Sequence, residues 1–300
     1  MRPYAIITDS SCNLNSEQAQ EIGVDAILPM HFYLDGVEHD ANCDWIEFSA
    51  EEYYAAIGNG ARVKSAQITS YAYEEVFRSF LDKGYDVLSI SCAEALSGSV
   101  RESISAAKRL AVEYPDAKIY CIDSYNCCYS LAMVLMEAAK MRAAGESMDN
   151  VREWIYANRE FFNEVGTVEK LTYLRNAGRV SGPAALFGGI FSVKPIVVYD
   201  ETGHNVAVEK VIGRRGSLQR VAEYVKKYGR PEVNNHVYII HADCLKDAET
   251  VGELIQAQFP DKKLEFTYGF IESGVGSSVG PGTIIVDFYG DSAMRRLLNK

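Results

Sequence analysis

Ser97-Gly98-Ser99 follows the apolar run Val87 to Cys92 and precedes a helical pattern through Arg101, Ile104, Ala107 and Leu110. Strand, small polar turn, helix is an order that builds an anion site. The first N–H groups of a helix are unpaired, and a glycine with flanking hydroxyls lets a carboxylate or phosphate approach them. Ser97 or Ser99 equally suits a plain helix cap. Two further strand-like runs end the same way, Tyr4 to Thr8 at Asp9-Ser10-Ser11 and Lys118 to Ile122 at Asp123-Ser124. A polar loop around Ser65 precedes a helix carrying Phe77, Phe80 and Leu81. Ligands of open α/β sheets sit outside the carboxyl ends of the strands. The three polar strand ends and the Ser65 loop therefore point to a small-molecule cleft, with Asp9, Ser10, Asp123 and Ser124 around it.

The residues that would transform a ligand are harder to find. No G-x-S-x-G elbow, no G-x-x-x-x-G-K-[ST] and no G-x-G-x-x-G after a strand occurs, and Gly274-x-Gly276 precedes a strand. Five His at 31, 39, 204, 236 and 241 form no H-E-x-x-H, and the seven Cys form no C-x-x-C, so neither a catalytic nor a structural metal is expected. The odd cysteine count and its apolar neighbourhoods suit buried free thiols in a reducing compartment. Arg175 and Arg179 flank a turn; they suit an anionic ligand head, the acids of a docking partner, or a solvated turn. Arg214, Arg215 and Arg220 carry the same three readings.

A net charge of -11, from 41 acidic and 30 basic residues, argues against broad contact with nucleic acid or anionic membrane. At 300 residues, 48% hydrophobic and 24% charged, the chain suits a folded protein of one large or two ordinary domains. The opening apolar run is too short for a signal-peptide core, and no stretch approaches the roughly 18 apolar residues of a spanning helix, so a cytoplasmic protein without an integral membrane segment is expected.

These groups need elements to hold them. The pattern predicts alternating strands and helices up to about residue 160, including a strand pair over Ala26 to Val37 turning at Asp35-Gly36 and one helix bearing Trp45, Phe48, Tyr53, Tyr54 and Ile57 as core. The boundary is placed near Phe161 to Gly166. Beyond it come a strand from Gly166 to Leu174, a compact apolar helix at Ala184 to Phe191, strands Val193 to Tyr199 and Val206 to Ile212, then helices Leu218 to Tyr228 and Ala248 to Phe259 among further strands. Glu272 to Gly282 reads as tight turns or a ligand lip. The expected class is α/β, with a Rossmann-like parallel-sheet domain over 1–162 and an α+β domain with a mainly antiparallel sheet over 163–300.

Assembled, these stretches resemble the DegV family, bacterial fatty-acid-binding proteins that serve as the acyl-carrying subunit of fatty acid kinase. Tyr4 to Leu14 resembles the family's opening strand and Asp-Ser turn. Val63-Lys64-Ser65-Ala66-Gln67-Ile68 is similar to its T-S-Q-P loop, with Ser65 in the Thr place and Ile68 in the Pro place. Leu96 to Ser99 resembles its L-S-G-T, and Ile122 to Ser124 its I-D-S. The most specific match is Leu174 to Ser181, similar to L-x-x-G-G-R-I-S, followed by Val193-Lys194-Pro195-Ile196 like its I-K-P.

The resemblance implies a long-chain fatty acid held without covalent attachment between two domains. It places Ser65, Gln67, Ser97, Gly98, Ser99 and Ser278 at the carboxylate, the acyl chain in an apolar tunnel lined by 184–191 and Ile196 to Val198, and a kinase subunit on Arg175, Arg179, Arg214 and Arg215. It implies no cofactor, no metal and no catalysis by the chain itself. One departure stands out: where the family has H-T-G-P-G, this chain has Ser278-Val279-Gly280-Pro281-Gly282. Serine donates a hydrogen bond but carries no positive charge. Two other functions stay open at this stage: an enzyme acting on a small anion in the same cleft, with Asp9 or Asp123 as base, and a lipid sensor with no kinase partner.

Overall fold

The computed structural model describes residues 2–181 and 193–299. The stretch 184–191, expected as an apolar helix, lies outside the described residues. The first part of the chain runs β1 (Tyr4–Asp9), α1 (Ser16–Ile22), β2 (Ala26–Leu28), β3 (Met30–Leu34), β4 (Val37–Ala41), α2 (Ala50–Gly58) and β5 (Val63–Ala66). It continues with α3 (Ser70–Leu81), β6 (Asp86–Ser91), α4 (Ser99–Glu113), β7 (Ile119–Asp123), α5 (Cys128–Ala143) and α6 (Met148–Asn158). The second part has β8 (Phe162–Thr167), α7 (Thr172–Ala177), β9 (Val193–Tyr199), β10 (Asn205–Ile212) and α8 (Arg214–Tyr228). It ends with β11 (His236–His241), α9 (Leu245–Ala257), β12 (Glu265–Phe270), α10 (Ser273–Val279) and β13 (Ile284–Tyr289).

β1 and β6 are buried along their whole length, polar positions included, as strands of a parallel sheet covered on both faces should be. With β2 and β7 they form a parallel sheet of order β2-β1-β6-β7. The chain leaves β1 first to one side and later to the other, so the switch in strand order lies between β1 and β6. A crevice opens at such a point. The second sheet has order β10-β9-β8-β13-β11-β12 and is antiparallel except between β11 and β12. Alternation along its strands serves two cores: Val165, Ile196, Val198, Ile284 and Val286 join the core with α8 and α9, whereas Val197, Tyr199, Tyr238 and Ile285 join that of the first part. α5 is apolar on nearly every side and contacts β1, β8 and β13, which places it between the two sheets.

The structure corrects several local expectations. Asp35 and Gly36 do turn a hairpin, both with positive φ as a type I′ turn needs, but it joins β3 to β4. Ala26–Leu28 belongs to the parallel sheet instead, because Pro29 separates it from β3. Trp45 and Phe48 precede their helix: the Ser49 hydroxyl and Glu52 form a capping box that starts α2 at Ala50. Both rings still pack on Tyr53. Ser65 sits on a strand, since β5 pairs antiparallel with β3 in a third, three-stranded sheet. Leu174 lies in α7, and the strand before it begins at Phe162 rather than Gly166.

The glycine-rich stretch after Glu272 is a helix, not a run of turns. The Glu272 carboxyl accepts from the Gly274 and Val275 N–H groups at 2.6 and 2.7 Å and so starts α10. Its glycines admit close neighbours. A Cβ on Gly276 would lie 2.4 Å from the Tyr54 hydroxyl oxygen.

Candidate functional site

A pocket enclosing about 890 Å³, its open mouth included, lies where the two sheets face each other. Three segments deliver the expected hydroxyl and amide groups: Ser65 and Gln67 from β5 and the residues after it, Ser97 from the turn before α4, and Ser278 from α10. Leu174, Val197, Val275, Val279 and Ile285 supply apolar wall.

The serine turn does two things at once. Ser97 Oγ accepts from the Ser99 N–H at 3.3 Å and lies 2.9 Å from Ser99 Oγ, so these hydroxyls secure the start of α4 while Ser97 still lines the pocket. Gly98 lies close against Gln67: a Cβ there would fall 1.9 Å from Gln67 Oε1 and displace that side chain. Gln67 in turn donates to Glu102 Oε1 at 3.1 Å, and Glu102 Oε2 accepts the Ser70 N–H at 3.1 Å. The Ser65 and Ser97 segments are thus tied to each other across the mouth.

Asp9, Ser10, Asp123 and Ser124 do not line the pocket. Asp9 is fully buried, accepts the Cys92 N–H at 2.9 Å and binds the Ser11 hydroxyl and N–H. Burial pushes its carboxyl up to about 6. It bridges the ends of β1 and β6 at the switch point and so sets Ser11 and Cys92, which do line the pocket. Ser10 Oγ accepts the Met30 N–H at 3.0 Å, and Ser124 Oγ holds the Asn126 turn. Asp123 Oδ1 accepts the Glu94 and Tyr125 N–H groups at 3.2 and 3.0 Å, with its carboxyl raised by burial. Neither acid faces the cavity as a base would have to.

The four arginines divide. Arg179 lines the pocket and donates to Leu96 O at 2.8 Å, bracing the serine turn. Arg214 pairs with Asp247 at 2.7 Å. Arg175, in the last turn of α7, and Arg215, in the first turn of α8, are exposed.

Sequence reasoning missed several wall residues: Cys127, Cys128, Glu164, Tyr199 and Asn205. Cys127 and Cys128 follow the Asp123-Ser124 strand end and place their sulfurs 3.9 Å apart. Glu164 carried a readable signal, an acid at an inward position of the strand F-N-E-V-G-T. Burial pushes its carboxyl up to about 8. Among the described residues no group of three or more His, Cys, Asp or Glu is arranged to hold a metal ion, and no helix is long and apolar enough to cross a membrane.

A parallel α/β layer facing a mainly antiparallel sheet, with a pocket of hydroxyls and apolar wall between them, defines a two-part α/β protein built around a ligand cavity. The family described as "Uncharacterised protein, DegV family" matches residues 3–290, and the chain belongs to it. A DegV domain-containing protein of Clostridium perfringens is 30% identical over 294 residues, covering 97% of this chain and 99% of the relative. Among solved structures, a fatty-acid-binding DegV family protein from Thermus thermophilus superposes with a TM-score of 0.83 at 19% identity, covering 96% of this chain and 100% of that one. A stearic-acid-binding protein from Eubacterium ventriosum gives 0.81 at 22% identity, covering 97% and 99%. At these identities the likeness to the solved structures is one of fold.

Proposed function

We propose that this chain holds a long-chain fatty acid without covalent attachment and presents its carboxylate to a fatty acid kinase subunit in the cytoplasm. The observation that carries the reading is the pocket's two-fold character: Ser65, Gln67, Ser97 and Ser278 meet at one cavity whose wall includes Val197, Val275, Val279 and Ile285. Hydroxyls suit a carboxylate; Gly98 and Ser99 do not line the pocket, and the Ser99 N–H is held by Ser97 Oγ. Burial of each methylene contributes about 0.8 kcal/mol, enough in sum to retain a long chain with no tether. Residues 1–162 carry the Ser65 and Ser97 head-group segments, and 163–300 enclose the chain and add Ser278. The solved relatives from Thermus thermophilus and Eubacterium ventriosum, described as binding fatty acid, support the ligand class.

The chain's part is to bind rather than to catalyse. Asp9 and Asp123, the acids suited by sequence to act as a base, hold backbone turns instead. Exposed Arg175 and Arg215 are the docking residues for the kinase, and Arg179 and Arg214 act by holding the loops beside them. Seven free cysteines agree with a reducing compartment.

The test is native mass spectrometry of the purified chain, followed by extraction and lipid analysis. A stoichiometric fatty acid is expected, lost in Ser65→Ala/Ser97→Ala. A chain that is empty and takes up neither oleate nor palmitate would sink the reading. With lipid bound, phosphorylation by a cognate kinase that survives Arg175→Glu/Arg215→Glu unchanged would remove those arginines from docking.

A further inference from the structure

The register of the second sheet sets a rung of polar side chains on the face toward the pocket. Asn205 opposes Tyr199 across β10 and β9, and Asp287 opposes Glu164 across β13 and β8. Val165 opposes Val198, which brings Tyr199 beside Glu164. One side-chain repeat along the strands, roughly 7 Å away, the rung is Val197, Gly166 and Ile285 and has no polar side chain. Both rungs line the cavity, the polar one through Asn205, Tyr199 and Glu164.

The polar rung is not satisfied by the protein. Tyr199 donates to Glu164 Oε2 at 2.6 Å, and no other hydrogen bond to the Glu164 side chain is found among the described residues. Asn205 Oδ1 and Asp287 Oδ1 are buried without a partner. Arg295, the nearby cation, is turned to the carbonyls of Glu160, Tyr125 and Phe162 and to the Asn126 side chain. No hydrogen bond among the described residues joins this set to Ser65, Ser97 or Ser278. An unsubstituted methylene chain laid against Glu164 and Asn205 would leave these groups unpaired in a dry cavity, which is costly.

We propose that the acyl ligand carries, besides its carboxylate, an oxygen on its chain, a hydroxyl or keto group, bound by Glu164, Tyr199 and Asn205. The inference rests on the fatty-acid reading above. Burial raises the Glu164 carboxyl and so favours its protonated form, which donates its O–H to the ligand while accepting from Tyr199. The Asn205 side chain lies beside it on the cavity wall. A site built to hydrogen-bond an oxygen rejects the analogue that lacks it far more strongly than an apolar wall rejects an added methylene.

The experiment offers delipidated protein an equimolar mixture of stearic acid and a positional series of hydroxystearic acids, and reads the retained species by native mass spectrometry. At least one hydroxystearate is expected to be enriched over stearate by about 10-fold or more. The enrichment should survive in Glu164→Gln, which still donates, and invert toward stearate in Glu164→Leu. Tyr199→Phe, which should lower the enrichment, serves as the second variant if Glu164→Leu does not fold. Retention of stearate as well as every hydroxystearate overturns the inference, leaves an internal water as the rung's partner and keeps the fatty-acid reading. An enrichment untouched by all three variants also overturns it. Retention of no fatty acid at all overturns both.

Discussion

At the scale of single residues the pocket depends on acids whose charge burial suppresses. Glu164 and Glu272 are both pushed from 4.5 up to about 8 by burial, although Glu272 also accepts two backbone N–H groups that favour its ionised form. A carboxyl whose folded value is raised keeps a proton that the unfolded chain releases. Its contribution to stability is therefore full below about pH 4.5 and is lost as pH rises toward about 8. Each such acid removes at most about 1.4 kcal/mol per pH unit across that window. Glu164→Gln should accordingly lose less unfolding free energy than the wild type between pH 5 and pH 8 in urea melts. Parallel curves for the two proteins would mean that Glu164 is ionised in the folded state.

At the scale of elements, α10 is the piece that joins the parts of the site. It follows β12 in sequence yet packs on β5, β3 and α2 of the first part and on α7 of the second. Tyr53 and Tyr54 of α2 donate to Ser273 O and Ile271 O, each at 2.6 Å, and so hold its start. Gly276→Ala places a methyl against the Tyr54 ring and hydroxyl, both held by packing. A loss of about 1–3 kcal/mol in chemical denaturation is expected, as for overpacked cores. Combining it with Tyr54→Phe, which removes the nearest atom, should cost less than the sum of the single changes. Strict additivity would place the strain elsewhere.

At the scale of the molecule, the two sheets are clamped by one buried cation near the end of the chain. Arg295 is 2% exposed and donates to Tyr125 O at 2.9 Å and Asn126 Oδ1 at 2.6 Å in the turn after β7, and to Glu160 O at 3.1 Å before β8. It also reaches Asp200 O at 3.3 Å, after β9. Its planar fork has enough donors for carbonyls from separate segments, which a lysine ammonium does not. Arg295→Met strips several buried carbonyls at once and should destabilise by roughly 3–5 kcal/mol. Arg295→Lys should recover only a minor part. Full recovery by lysine in a thermal melt would reduce the residue to a buried charge.

Much of this architecture was legible along the chain. Apolar runs marked the buried strands β1 and β6, Asp35-Gly36 marked the hairpin, and the polar strand ends marked the edge where the cavity lies. Local chemistry determines these features, because burial periodicity and turn geometry act between near neighbours. The resemblance of Leu174 to Ser181, carried by side-chain identity alone, pointed to the family. Other features exist only in three dimensions. The chain does not announce that Ser65 sits on a strand beside Phe32, because pairing register is set by a partner more than thirty residues earlier. The helix in Glu272 to Gly282 was unreadable because its glycines answer to Tyr54, Met30 and Tyr173 rather than to helix propensity. Nor could Asp9 be known as a brace rather than a cleft acid. Its oxygens are taken by Cys92 and Ser11, and only the side-by-side placement of β1 and β6 brings Cys92, eighty-three residues distant, to it.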